Sequence, residues 1–214
     1  MDQEVEIISS ETRKEKIKNF IIYNKKKLVA VVIFFLLIIF SFFFYQEYNE
    51  RHRERLSNKY NLSIIEYETG EKSKILNSMK DIIEAKDKTY SPLAFYFLLD
   101  NDLITSKEEI NKYFDILIKE IGLDSENKNL TIFKKALFNA EFANENELLS
   151  ILNPVIKSQS IWKPHALYLM AEYYFAQNEK QKSKEFLQQL ISLENISEKI
   201  KLEAQRRLRS DFSE

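Results

Sequence analysis

The eighteen-residue run LVAVVIFFLLIIFSFFFY, Leu28 to Tyr45, constrains this chain more than any other stretch. Only Ser41 and Tyr45 carry a polar side-chain group, and the run holds no charge, glycine or proline. As a helix rising ~1.5 Å per residue it covers about 27 Å, close to the ~30 Å hydrocarbon core of a bilayer. A helix buried in a protein core usually keeps a polar stripe, whereas this run is apolar on every side. Lys25, Lys26 and Lys27 just before it would also suit a cleaved signal peptide, but cleavage needs small residues after the run, and aromatic and charged residues follow instead. The stretch reads as an uncleaved signal anchor, with Leu28, Val32, Phe35, Ile39 and Phe43 among its membrane-embedded residues.

The flanks set a direction. Seven Lys and Arg lie between Arg13 and Lys27, against four between residues 46 and 65. By the positive-inside rule the N-terminus stays in the cytoplasm and the C-terminal part crosses, with Tyr23, Tyr45 and Tyr48 as interfacial anchors. Residues 1–10 read as a flexible tail. Within the basic leader, residues 1–27, Ile17, Phe20 and Ile21 share a helical face among basic residues, a pattern that suits a helix on the membrane surface or a plain topology-setting flank.

About 169 residues follow the anchor, enough for one domain with a buried core. Two glycines and three prolines are too few turn-formers for a sandwich or barrel, so the expectation is all-α. The leader carries seven basic and five acidic residues, +2, and the remainder 25 and 28, −3; no basic domain points to nucleic acid. With no cysteine there is no disulfide, thiolate nucleophile or cysteine metal site, which is compatible with a periplasm.

Gly70, Ser106, Asn144 and Asn178 each separate two helix-patterned runs, at spacings of 36, 38 and 34 residues, the period of stacked helix-turn-helix units. Start signals agree: Ser91 before Pro92, Ser106 with Glu109, Asn144 with Glu147 and Asn195 with Glu198. Four hairpins are expected. The first pairs residues 46–68 with a helix whose face is Ile75, Met79, Ile82 and Ile83. The second pairs 92–103 with the face Ile110, Phe114, Leu117 and Ile118. The third sets Phe133, Ala136, Leu137 and Ala140 against Leu148, Leu149, Leu152 and Ile156. In the fourth, Leu167, Met170, Ala171 and Tyr174 face Phe186, Leu187, Leu190 and Ile191. A last helix, 196–209, has the polar outer side of a cap, and 210–214 reads as a tail.

The fourth unit resembles a tetratricopeptide repeat through Leu167, Met170, Ala171 and Tyr174, with Ser183, Leu187 and Leu190 in its second helix. Basic leader, anchor and a repeat domain over 46–209 together resemble the bacterial ancillary SecYEG translocon subunits, most specifically in AEYYFAQNEKQKSKEFLQQL from Ala171 to Leu190. The resemblance implies a single-pass protein of the bacterial inner membrane, with a periplasmic tetratricopeptide-like domain that links translocon subunits to periplasmic chaperones. An adaptor in envelope assembly or cell division shares this architecture and remains open.

No zinc-protease, phosphate-loop, dinucleotide or serine-nucleophile motif occurs. His52, just past the anchor, reads as a solvated or headgroup-level residue. Carboxylate pairs such as Glu108 with Glu109 and Glu145 with Glu147 suit a solvated face better than a carboxylate-based hydrolase, the remote alternative. No catalytic residue, metal, cofactor or small-molecule substrate is expected. What remains is surface recognition, for which His165, Tyr168, Glu172 and Phe175 lie between the core positions of the clearest unit, two aromatics flanking a charge. They would either meet a partner or pack under the last helix.

Overall fold

The 3.6-residue periodicity of the sequence becomes nine helices among the described residues, and no strand. The computed structural model describes residues 2–70, 72–194 and 196–212, and the side chains of 15, 16, 18–70, 74–194 and 196–210. In chain order these are α1 (Asp2–Glu68), α2 (Lys72–Glu84), α3 (Tyr90–Asp100), α4 (Lys107–Lys119), α5 (Ser125–Asn139), α6 (Glu145–Ile156), α7 (Lys163–Ala176), α8 (Lys180–Ile191) and α9 (Glu198–Phe212). The fold is all-α, as the turn-poor composition implies. The chain divides into two compact units, Met1–Arg55 and Leu56–Glu214.

The first unit is one stretch of α1. Residues 2–10 are helical rather than a loose tail, because no glycine or proline interrupts the chain before Gly70. Every side chain from Leu28 to Tyr45 is exposed, including Leu28, Val32, Phe35, Ile39 and Phe43. Phe34 with Phe35 and Phe42 with Phe43 meet edge to face along the surface. This is the one helix among the described residues that is long and apolar enough to cross a membrane. Phe20 and Ile21 are exposed, whereas Ile17, the third residue of the leader stripe, lies outside the described side chains. His52 stacks on Tyr48 one turn away, at 6.5 Å.

The second unit begins at Leu56, ten residues later than the sequence boundary at 46, because Leu56 is the first side chain to bury. Three clusters form its core. The first joins Leu56 to α2, α3 and α4, with Ile75, Met79, Ile82, Ile83, Phe95, Phe114 and Leu117 wholly enclosed. Burying each such side chain contributes roughly 1.5–3 kcal/mol. The rings of Phe95 and Phe114 meet edge to face at 4.8 Å, so neither can shrink without leaving a void. The other two clusters share α7. Ala166, Met170 and Tyr174 pack toward α5 and α6, while Leu167 and Ala171 pack toward α8 and α9. Ala171 and Ser183, both buried, are the small residues that bring α7 close to α8.

Two local expectations change. Ser91 does not cap α3. It is buried, and its hydroxyl donates to the Ile82 carbonyl at 2.7 Å; the Asp87 carboxylate instead accepts from the N–H groups of Thr89 and Tyr90, each at 2.8 Å. On α5 the buried face is Thr131, Ile132, Ala136 and Asn139, one residue round from the expected one, and Leu137 is 47% exposed. A reciprocal amide pair explains the rotation. Asn139 and Asn111 of α4 exchange hydrogen bonds at 2.8 and 3.1 Å, and unpaired buried amides would cost more than leaving one leucine outside.

The caps at the other hairpins follow the sequence more closely. Asn144 and Glu147 form both halves of a capping box, at 3.0 and 3.1 Å. Ser106 accepts from the Glu109 N–H at 3.2 Å, but the Glu109 carboxylate turns to Lys80 and to the Tyr113 hydroxyl, leaving half a box. Asn195 lies outside the described residues, and Ser197 accepts from the Ile200 N–H at 3.4 Å at the start of α9. α9 extends to Phe212, so residues 210–212 are helix rather than tail.

Candidate functional site: an aromatic groove on α7

Serine hydrogen bonds shape the turn between α6 and α7. Ser158 donates to the Val155 carbonyl at 2.8 Å and accepts from the Ser160 N–H at 3.2 Å. Ser160 then accepts from the Trp162 N–H at 3.1 Å and donates to the Glu126 carboxylate at 2.7 Å. The turn is thereby tied to α5, leaving Ile161 68% exposed and setting Trp162 at the mouth of α7. Pro164, in the first turn of α7, needs no N–H partner there and is buried.

From this corner a groove of about 920 Å³ opens between α5, α7 and the start of α9. Its floor is aromatic. Phe133 and Trp162 stack at 6.0 Å and 22°, and the His165 ring lies 5.8 Å from Phe133 and 5.2 Å from Trp162. Leu137, Ile161, Leu169 and Ile200 supply aliphatic walls. The volume lies at the upper end of the ~300–1,000 Å³ typical of ligand clefts. His165 Nδ1 is buried and has no hydrogen-bond partner among the described residues, an uncommon state for a buried polar atom.

The four residues singled out in the sequence divide. His165, Tyr168 and Glu172 line the groove, whereas Phe175 does not; it lies one turn further along α7, beneath the Arg207 guanidinium of α9 at 4.9 Å. Arg207 also grips Glu172 in a bidentate pair, Nη2 at 2.7 and 2.8 Å from the two carboxylate oxygens and Nε at 3.0 Å from one. The charge between the two aromatics is thus spent on holding α9. Tyr168 is half-buried against the cluster under α9, and burial, followed by the nearby Glu172 charge, pushes its hydroxyl up from its usual range. Trp162, Phe133, Leu137 and Ile161 also carry the groove, although the sequence points to Phe133 and Leu137 only as core positions and to Trp162 and Ile161 not at all. The available signal was that Trp162, the single tryptophan of the chain, directly precedes the start of α7.

The acidic pairs serve as caps and bridges. Glu108 is held below its usual range by hydrogen bonding from its own backbone and from Ser106. Burial raises Glu109, but Lys80 and Tyr113 outweigh it and the net shift is downward. Glu145 is lowered by Lys182 and Tyr174, and Glu147 completes the α6 cap. A general acid requires the opposite shift. Among the described residues no three His, Asp or Glu gather as a metal site would require. A second, polar depression beside Asn111, Asn139 and Lys135 is satisfied internally by the amide pair and by Lys135 with Asp115 at 2.7 Å. Compared with known proteins, the chain matches no family model, no curated protein and no solved structure.

Proposed function

We propose that this chain is a single-pass membrane scaffold whose helical-hairpin domain, of the tetratricopeptide kind, binds other proteins. The observation that carries the reading is the helix surface from Leu28 to Tyr45, apolar and exposed on all sides, joined in one chain to a domain with an open aromatic groove. The excess of basic residues before the anchor supports a cytoplasmic N-terminus and a domain on the far side of a bacterial inner membrane. Resemblance to the ancillary translocon subunits supports the secretion translocon and periplasmic chaperones as its partners. Tethering then suffices as mechanism. Confining the groove beside an exit site raises its effective concentration for emerging chains without any bond being made or broken.

The test is photocrosslinking in native membranes from a crosslinking residue placed at position 161, followed by identification of the captured proteins. Translocon subunits or periplasmic chaperones are expected. Capture only of envelope-assembly or division proteins would replace the translocon reading, and no protein capture from any exposed position of the domain would end the scaffold reading.

A further inference from the structure

We infer that the groove on α7 takes an extended, apolar peptide segment bearing an acidic side chain. This rests on the scaffold reading and names the chemistry of what the groove holds. Three observations select the occupant. The floor and walls are apolar and aromatic, which calls for apolar side chains. Rings such as Trp162 and Phe133 are the kind of anchor that dominates interface energetics.

The polar atoms then narrow the choice. His165 lines the groove, and its Nδ1 lacks a hydrogen-bond partner among the described residues. An acyl chain offers no hydrogen bond there. A helical partner offers none from its satisfied mid-helix backbone either, whereas an extended peptide presents free N–H and C=O groups at every residue. The stretch of α7 and its N-terminal turn that lines the groove, 161–172, is about 17 Å long at ~1.5 Å per residue, room for about five extended residues at ~3.3 Å each.

Charge supplies the third constraint. Both carboxylates in the lining are engaged, Glu172 by Arg207 and Glu203 by Arg206 at 3.2 Å, while Lys199, also in the lining, forms no ion pair with any of the described residues. The uncommitted charge of the groove is positive, so a carboxylate on the peptide is favoured and an ammonium is not.

Trp162, the chain's single tryptophan, is a built-in reporter. Full-length protein in phosphatidylcholine nanodiscs is titrated with ten-residue, tryptophan-free peptides having a Leu/Val/Phe core and either a central Asp or a central Lys. The Asp peptide should shift Trp162 emission saturably and bind more tightly than the Lys peptide. Lys199→Glu should weaken the Asp peptide about three- to fivefold and reverse the preference. Leu137→Asp, at a half-exposed position that the fold tolerates, should weaken both by at least about tenfold with helicity unchanged. Equal binding of the two peptides, or a response to oleate with silence toward both peptides, overturns the inference. Protein crosslinks from the domain alongside a silent Trp162 would sink this inference and leave the scaffold; peptide binding with no crosslinked protein would do the reverse.

Discussion

Removing the Arg207 side chain should release α9 from α7 without unfolding the domain. In the intact protein its guanidinium makes three hydrogen bonds of 2.7 to 3.0 Å to Glu172 and covers the Phe175 ring at 4.9 Å. Hydrogen bonds to charged groups contribute roughly 1.5–3 kcal/mol when enclosed, and exposed pairs roughly 0.2–1. With the Arg207 side chain 24% and the Glu172 side chain 39% exposed, about 1.5 kcal/mol is reasonable for the pair. The cation over the ring adds about 0.5 kcal/mol at a site this open. Arg207→Ala therefore weakens the docking of α9 by about 2 kcal/mol, which is about a thirtyfold rise in its opening equilibrium.

Amide hydrogen exchange reads this directly, since helix ends open locally before the whole domain does. Exchange across residues 198–210 should accelerate about thirtyfold, and α2 to α4 should not change. Arg206→Ala is the internal control. That side chain is 73% exposed, pairs with Glu203 at 3.2 Å, and should change exchange by about fivefold at most. Equal effects from the two substitutions would refute the argument, because both would then be acting through helix propensity or net charge rather than through the bidentate clamp.

Two further predictions rest on local geometry and charge. Gly70 has φ +97° and an added Cβ would meet no atom within 4 Å, so Gly70→Ala should cost about 1–2 kcal/mol from backbone strain alone, seen as a lower urea midpoint with unchanged slope. Glu145 is held below its ordinary 4.5, first by Lys182 and then by Tyr174, so its contribution is present above that value and fades as pH falls through the folded one. Urea unfolding below pH 4.5 should show a shallower acid loss in Glu145→Gln than in the parent, and identical acid profiles would count against the Glu145–Lys182 bridge.

How far local pattern reaches can be judged from particular residues. The four-residue faces of α2 and α7 were legible because Ile75, Met79, Ile82 and Ile83, and Leu167, Met170, Ala171 and Tyr174, leave one arrangement in which a helix can hide them, and all eight are buried. Asn144 with Glu147 was legible for the same reason, since a capping box is completed within four residues of chain. Ser91 and α5 depart from the local pattern because their partners are distant. The hydroxyl of Ser91 meets a carbonyl nine residues away, and Asn139 meets an amide on another helix, 28 residues away.

The groove belongs to this second kind. Its lining comes from α5, α7 and α9, and no periodicity within one helix shows that Leu137, Trp162 and Ile200 lie around one depression, or that Arg207 takes up Glu172. Sequence by itself determined the apolar membrane-length helix and the all-α class, because each depends on the solvation of side chains a turn or two apart. Tertiary structure alone decided which faces remain open and which charges remain uncommitted, since burial and ion pairing are settled between helices and not within them.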